Sequence, residues 1–145
     1  MEITVRELRE EDIPELSRIE EESFSMPWSA EAFRGLLTRA YCTYVVALAD
    51  EKIVGCCGYT DSLHEATIDN VVVAKEYRNQ GIGRAMLKRL LETGHAAGVE
   101  AYTLEVRASN LAAIHLYEKF GFRSEGIRPR FYEKPVEDAV IMWKR

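Results

Sequence analysis

The stretch Val71-Val72-Val73-Ala74-Lys75-Glu76-Tyr77-Arg78-Asn79-Gln80-Gly81-Ile82-Gly83-Arg84 decides how the rest of the chain is read. An apolar strand end runs into a polar loop, and two glycines then open a helix. The first amides of a helix have no intrahelical acceptor. With no Cβ at Gly81 and Gly83, they can close around phosphate oxygens. Arg78 and Arg84 can add positive charge. A nucleoside-triphosphate loop is excluded, because Arg84 and Ala85 follow Gly83 where Lys and Ser or Thr would be needed. The dinucleotide fingerprint fails as well: Met86 stands where a third small residue belongs, and the preceding strand does not open a parallel unit. A pyrophosphate cradle and a glycine-rich helix cap without ligand both fit the loop's own chemistry.

Upstream, Ile3 and Val5 predict an opening strand, and Ile13, Leu16 and Ile19 mark the buried stripe of a helix. Glu10, Glu11 and Asp12 place negative charge at that helix's N-terminus, and Pro14 is tolerated in its first turn. Ser29 is placed to cap a second helix carrying Phe33, Leu36 and Leu37. Tyr44–Ala49 and Ile53–Tyr59 read as a hairpin across Asp50-Glu51-Lys52, and Ala66–Val73 continues the meander. Downstream, Ile82, Met86, Leu87, Leu90 and Leu91 predict a long helix stopping near Gly94 or Gly98. A strand (Tyr102–Val106), a short helix (Leu111–Phe120), a strand from Phe122 and a last strand Ala139–Trp143 follow. The order predicts one α/β domain over residues 1–145, with a mixed, mostly antiparallel central sheet flanked by helices on both faces.

A chain of 145 residues is the size of one domain, and 47% apolar with 30% charged residues excludes wholesale disorder. A net charge of −5 argues against a protein that lives on nucleic-acid phosphates. No apolar run approaches the ~18 residues of a membrane span. The start Met1-Glu2-Ile3-Thr4-Val5-Arg6 lacks the basic head and apolar block of a secretory signal. Cys56 and Cys57 would face opposite sides of a strand, and Cys42 leaves an odd count without a Cys-x-x-Cys pair. Small buried hydrophobes, no zinc and a cytoplasmic setting are the expectation.

Leu104-Glu105-Val106-Arg107-Ala108-Ser109-Asn110 puts a carboxylate near the carboxyl end of an apolar strand, where open α/β sheets bind ligands. A plain strand-end acid, solvated or paired with Arg107, fits equally well. Asn110 and Tyr117 lie seven positions apart, about two helical turns, so they project from nearly one side of the short helix. Each has an ordinary alternative, Asn110 as a cap and Tyr117 as an amphipathic core residue. His115 lies roughly 200° around the helix from Tyr117 and is read as surface, as are His64 and His95.

Arg78-Asn79-Gln80-Gly81-Ile82-Gly83-Arg84, preceded by Val71-Val72-Val73, resembles the pyrophosphate loop of the GNAT family of N-acetyltransferases, whose pattern is Arg/Gln-x-x-Gly-x-Gly/Ala. The order of elements fits the same fold. Glu105–Asn110, Ala112–Phe122, Phe24, Pro27-Trp28-Ser29 and Glu137–Met142 are similar to its RimI type, bacterial enzymes that acetylate the N-terminal alanine of a small-subunit ribosomal protein. The resemblance implies acetyl-CoA as cosubstrate, held by Val71, Val72, Val73, Arg78, Asn79, Gln80, Gly81, Ile82, Gly83 and Asn110, with no metal. It implies Glu105 as general base, through water, and Tyr117 as general acid. Between Tyr132 and Glu137 the chain departs from that pattern, in a segment expected to touch the peptide.

The chemistry suits these residues. At pH 7 roughly a tenth of an α-amine of pKa ~7.7–8 is neutral, against under a thousandth of a lysine at ~10.4. A carboxylate base raised by partial burial is therefore matched to an N-terminus, and a phenol can quench the departing thiolate. An amide near Val72 or Val73 can stabilise the thioester oxyanion. Phe24, Pro27, Trp28 and Tyr132, expected on loops, suit an extended peptide N-terminus. The resemblance implies the N-terminus of a ribosomal protein as partner, with neither nucleic acid nor membrane expected in direct contact.

Overall fold

The computed structural model describes residues 1–145. β1 (Ile3–Glu7) leads through a 3-10 turn to α1 (Ile13–Ser23), and Ser29 Oγ caps α2 (Ala30–Leu37) by accepting from Ala32 N at 3.1 Å. β2 (Cys42–Ala49), β3 (Lys52–Ser62) and β4 (Glu65–Val73) form the expected meander. Both of its turns place two residues at positive φ, Asp50-Glu51 and Leu63-His64, the backbone that matches the twist of a two-residue hairpin. Then come α3 (Ile82–Ala96), β5 (Ala101–Arg107), α4 (Leu111–Lys119), β6 (Arg123–Tyr132) and β7 (Glu137–Lys144). No helix is long and apolar enough to cross a membrane.

The strands make one seven-stranded sheet in the order β1-β2-β3-β4-β5-β7-β6. Only β4 and β5 run parallel, and they pair over just Glu65–Thr67 against Ala101–Thr103. Beyond Thr67, β4 continues beside β3 while β5 continues beside β7 to Arg107, so the sheet splits along its middle. A bulge accompanies the split: Cys56 faces Val72 and Gly58 faces Asp69, leaving β4 one residue longer than its partner. Asn70 takes φ +55 there, and such a bulge bends and twists its strand.

Each face of the sheet has its own core. Ile82, Met86, Leu87 and Leu90 of α3 pack with Leu104, Val106, Tyr117 and Phe122 on one face. Ile13, Leu16, Ile19 and Phe33 pack with Tyr44, Val46 and Val72 on the other. Cys57 belongs to the first core and Cys56 to the second, as their adjacency on a strand requires. Tyr44 lies against Gly58 so closely that a Cβ there would stand 2.1 Å from Tyr44 Cδ1.

Three expectations change. Asp12 does not simply face the helix dipole: it is buried, its oxygens accept from Arg6 Nη1 and Nη2 at 2.8 and 2.9 Å, and Oδ2 also accepts from Arg9 N at 2.8 Å. Burial pushes its carboxyl up, but these donors outweigh it and hold it below the usual range. Phe122 lies below β6 in the core rather than starting that strand. Tyr132, expected on a loop, ends β6 opposite Glu137. Its strand runs long because Arg107 gathers the following turn, donating to the carbonyls of Glu133 and Pro135 at 3.1 and 3.0 Å.

Gly58→Ala forces a methyl into the Tyr44 ring and is expected to cost about 1–3 kcal/mol in urea unfolding. Gly81→Ala meets no neighbouring atom and carries only the strain of φ +82, about 1 kcal/mol. Equal losses in the two variants would contradict the close seat of Tyr44.

Candidate active site

The split between β4 and β5 opens a cavity of about 720 Å³. Glu105, on β5, and Tyr117, on α4, both border it. Along β5, Leu104 and Val106 turn into the α3 core, so Glu105 points to the α1 side. Tyr117 comes from the α3 side, buried against Phe122 with ring centroids 5.9 Å apart. Burial pushes its phenol up, so it stays protonated across any working pH.

The carboxylate of Glu105 does not pair with Arg107, which binds Glu137 at 3.2 Å and stacks 4.5 Å over the Tyr132 ring. Its near neighbour is Arg128 from β6, with Nε 2.8 Å from Oε2. That contact is an ion pair by distance but is not aligned as a hydrogen bond, and Oε2 is left without a hydrogen-bond partner. Arg128 is a surface side chain, 58% exposed, and Glu105 keeps 28% of its own side chain accessible. A cavity-lining carboxylate whose one neighbouring cation is solvent-exposed is an arrangement that suits a proton acceptor.

The cradle is preformed. The amides of residues 79 to 84 find no acceptor in the chain, and the first bond of α3 runs from Ala85 N to Gly81 O at 3.0 Å. Asn79 and Gly81 at φ +62 and +82 turn the backbone so that these groups converge, an anion-binding arrangement. The residues present therefore fit a pyrophosphate. Gly83 serves a second purpose, since a Cβ there would touch Leu116 Cδ2 at 3.4 Å where α3 meets α4. Arg78 is turned away from this role: Nε donates to Val73 O at 3.0 Å and Nη2 to Ser23 Oγ at 3.3 Å, bracing the loop against α1.

Val71 borders the cavity, whereas Val72 is buried in the α1 core. Ala74 N donates to Val54 O across β3, so by strand alternation the Val73 amide turns the other way, into the split. Of the two amides considered for an oxyanion, Val73 is the one so directed. Asn110 caps α4, its Oδ1 accepting from Ala113 N at 3.2 Å, and it also lines the cavity. Phe24, Trp28 and Tyr132 line the cavity as well. Pro27 is exposed and does not.

Two carboxylates in the cavity escape the sequence reading. Asp69 receives the Tyr44 hydroxyl, and burial raises its carboxyl above the ordinary range. Glu20, 1% exposed, is pushed up to about 7 by burial. Its signal lies in the spacing: it stands four after Leu16 and seven after Ile13, so it continues the buried stripe of α1 with a charge.

The sequence model of the acetyltransferase (GNAT) family matches residues 7–122. The ribosomal protein bS18-alanine N-acetyltransferase of Escherichia coli is 36% identical, over 96% of this chain and 95% of that one. The crystal structure of the ribosomal-protein-S18-alanine N-acetyltransferase from Escherichia coli superposes with TM-score 0.91 at 34% identity, over 99% of this chain and 93% of that one. Ard1 from Thermoplasma volcanium gives TM-score 0.89 at 25% identity, over 99% and 97%. A split sheet, a free amide cradle at the helix after the split and full-length similarity to these proteins agree: the chain belongs to the GNAT family of acetyltransferases.

Proposed function

We propose that this chain transfers an acetyl group from acetyl-CoA to the N-terminal α-amine of a protein, the N-terminal alanine of a small-subunit ribosomal protein, with Glu105 as general base and Tyr117 as general acid. One observation carries the reading: a carboxylate and a protonated phenol reach one cavity from opposite faces of a split sheet, beside an amide cradle. The relatives named for alanine acetylation on a ribosomal protein support the acceptor class.

Acetyl-CoA supplies an acyl carbon already activated as a thioester, so the chain needs no nucleophile of its own. Amides 79 to 84 bind the phosphates, Val71 and the Val73 amide border the path of the pantetheine, and Asn110 lies at its far side. Glu105 accepts the proton of the acceptor amine through water. Tyr117 gives its proton to the thiolate. Burial keeps the phenol protonated, so its proton is in place when the thiolate departs. Phe24, Trp28 and Tyr132 hold the first residues of the peptide, with the flanking Pro27 shaping the loop from outside.

Glu105→Gln and Tyr117→Phe are each expected to lower kcat by about 100- to 10,000-fold, while coenzyme A affinity by calorimetry is kept. Wild-type turnover in both would remove these roles. Peptides beginning with a free alanine should be acetylated in preference to the same peptides with a blocked N-terminus and an internal lysine, by mass spectrometry. Equal labelling would redirect the function to lysines or small amines.

A further inference from the structure

Both ends of the loop from Phe24 to Trp28 rest on a single residue of α1. Phe24 N donates to the Glu20 carbonyl at 3.0 Å, and Trp28 N donates to Glu20 Oε1 at 3.1 Å. With its amide nitrogen toward α1, Asn70 donates to the same carboxylate, 2.8 Å to Oε1 and 3.3 Å to Oε2. The reverse orientation sets two acceptors face to face and leaves the nitrogen only the Cys56 sulfur, at 4.0 Å. Glu20 thus joins the end of α1, the acceptor-side loop and the β4 bulge, from a buried position on the cavity wall.

No cation compensates it. On α1, Arg18 turns outward onto Glu15 and Glu22. On α2, Arg34 pairs with Glu10. Arg78, reaching α1 from the loop before α3, spends its guanidinium on Ser23 and Val73. β3 offers the Cys56 thiol, β4 offers Asp69, and β2 offers the Tyr44 phenol, already donated to Asp69. Burial without a countercharge favours the neutral acid.

We propose that Glu20 is a positioning residue for the acceptor: ionised, it clamps the Phe24–Trp28 loop to the Asn70 bulge, and protonated it loosens that clamp, so acceptor affinity follows a proton that takes no part in acyl transfer. A carboxylate accepts both N–H groups. A carboxylic acid must donate one hydrogen, and Asn70 Oδ1 receives it only when the amide reverses. The bond from Trp28 N then loses its charge assistance. Trp28, packed 5.5 Å from Phe33 and 5.9 Å from Tyr44 between ring centroids, carries the change to the peptide end of the cavity. The consequence for acceptor binding rests on the acetyltransferase reading; the clamp itself is measurable without substrate.

Trp143→Phe leaves Trp28 as the lone tryptophan of the 2 in the chain, so emission excited selectively at tryptophan reports it alone. In that background the Trp28 emission should titrate with a midpoint near 7, and adding Glu20→Gln should abolish the transition. The N-acetylated product peptide has no amine to titrate, so its affinity isolates the clamp. In the wild type its Kd should weaken about tenfold as pH falls from about 8.5 to about 5.5, the loss of one charge-assisted bond. In Glu20→Gln it should be weak at both ends, with the defect in KM for peptide rather than in kcat. A titration of Trp28 or a pH dependence of Kd that survives Glu20→Gln overturns the proposal. Should Glu20→Gln not fold, Asn70→Ala breaks the other half of the clamp and must weaken product binding at high pH, or the proposal falls. If no peptide N-terminus is acetylated by the wild type, the proposed function fails while the fluorescence still decides the clamp.

Discussion

The structure depends on a sheet that stops being a sheet halfway along. Buried backbone N–H and C=O groups must be paired, and a strand in mid-sheet normally meets this need on both edges. β4 and β5 meet it for each other over only three residues a side. Past Thr67 their facing edges lie open to the cavity, and each strand stays ordered by its outer neighbour alone, β3 for one and β7 for the other. The bulge at Asn70 makes the departure possible, because an extra residue at positive φ turns β4 without breaking its ladder to β3. A polar main-chain edge that an extended amide-bearing chain can join is what the pantetheine of acetyl-CoA requires.

From the split follow the positions of Glu105 and Tyr117. A strand shows alternate residues to opposite faces, so the open stretch of β5 offers Glu105 to one layer and Leu104 and Val106 to the other. α4 lies in that second layer and delivers Tyr117 from below. Carboxylate and phenol therefore approach from opposite sides of the sheet plane. Where β4 ends, α3 begins after a loop, and the amides at its start are free.

How much of this the sequence discloses depends on whether a feature is periodic or relational. The meander, the long α3 and the alternation on β5 are periodic, and all appear near their expected bounds. Gly81 and Gly83 disclose the cradle because a backbone demand is written in residue type. The bulge is hidden: Asn70-Val71-Val72-Val73 reads as an unbroken strand, and only the partner strand's register exposes the extra residue. Arg128 is hidden for a related reason, because it meets Glu105 through β7 rather than through any local spacing. Glu20 lay within reach, since its place on the α1 stripe follows from the apolar positions around it. Tyr132 was misplaced because nothing local announces that Arg107 gathers the turn after it.

The division of labour between the two arginines has a chemical logic. Arg107 lies next to the active strand end and is the partner a local reading would give Glu105. It is consumed instead: two turn carbonyls, the Glu137 carboxylate and the Tyr132 ring fix its guanidinium. Such a cation is not available to be displaced. Arg128 stands mostly in solvent, and an exposed ion pair contributes little, about 0–1 kcal/mol, so an arriving ammonium can replace it at small cost. A carboxylate paired to Arg107 would share a half-buried guanidinium already bonded several times over, and would exchange it less readily. Assigning the rigid cation to the turn after β6 and the loose one to Glu105 keeps the wall of the cavity fixed while leaving its carboxylate with an exchangeable partner.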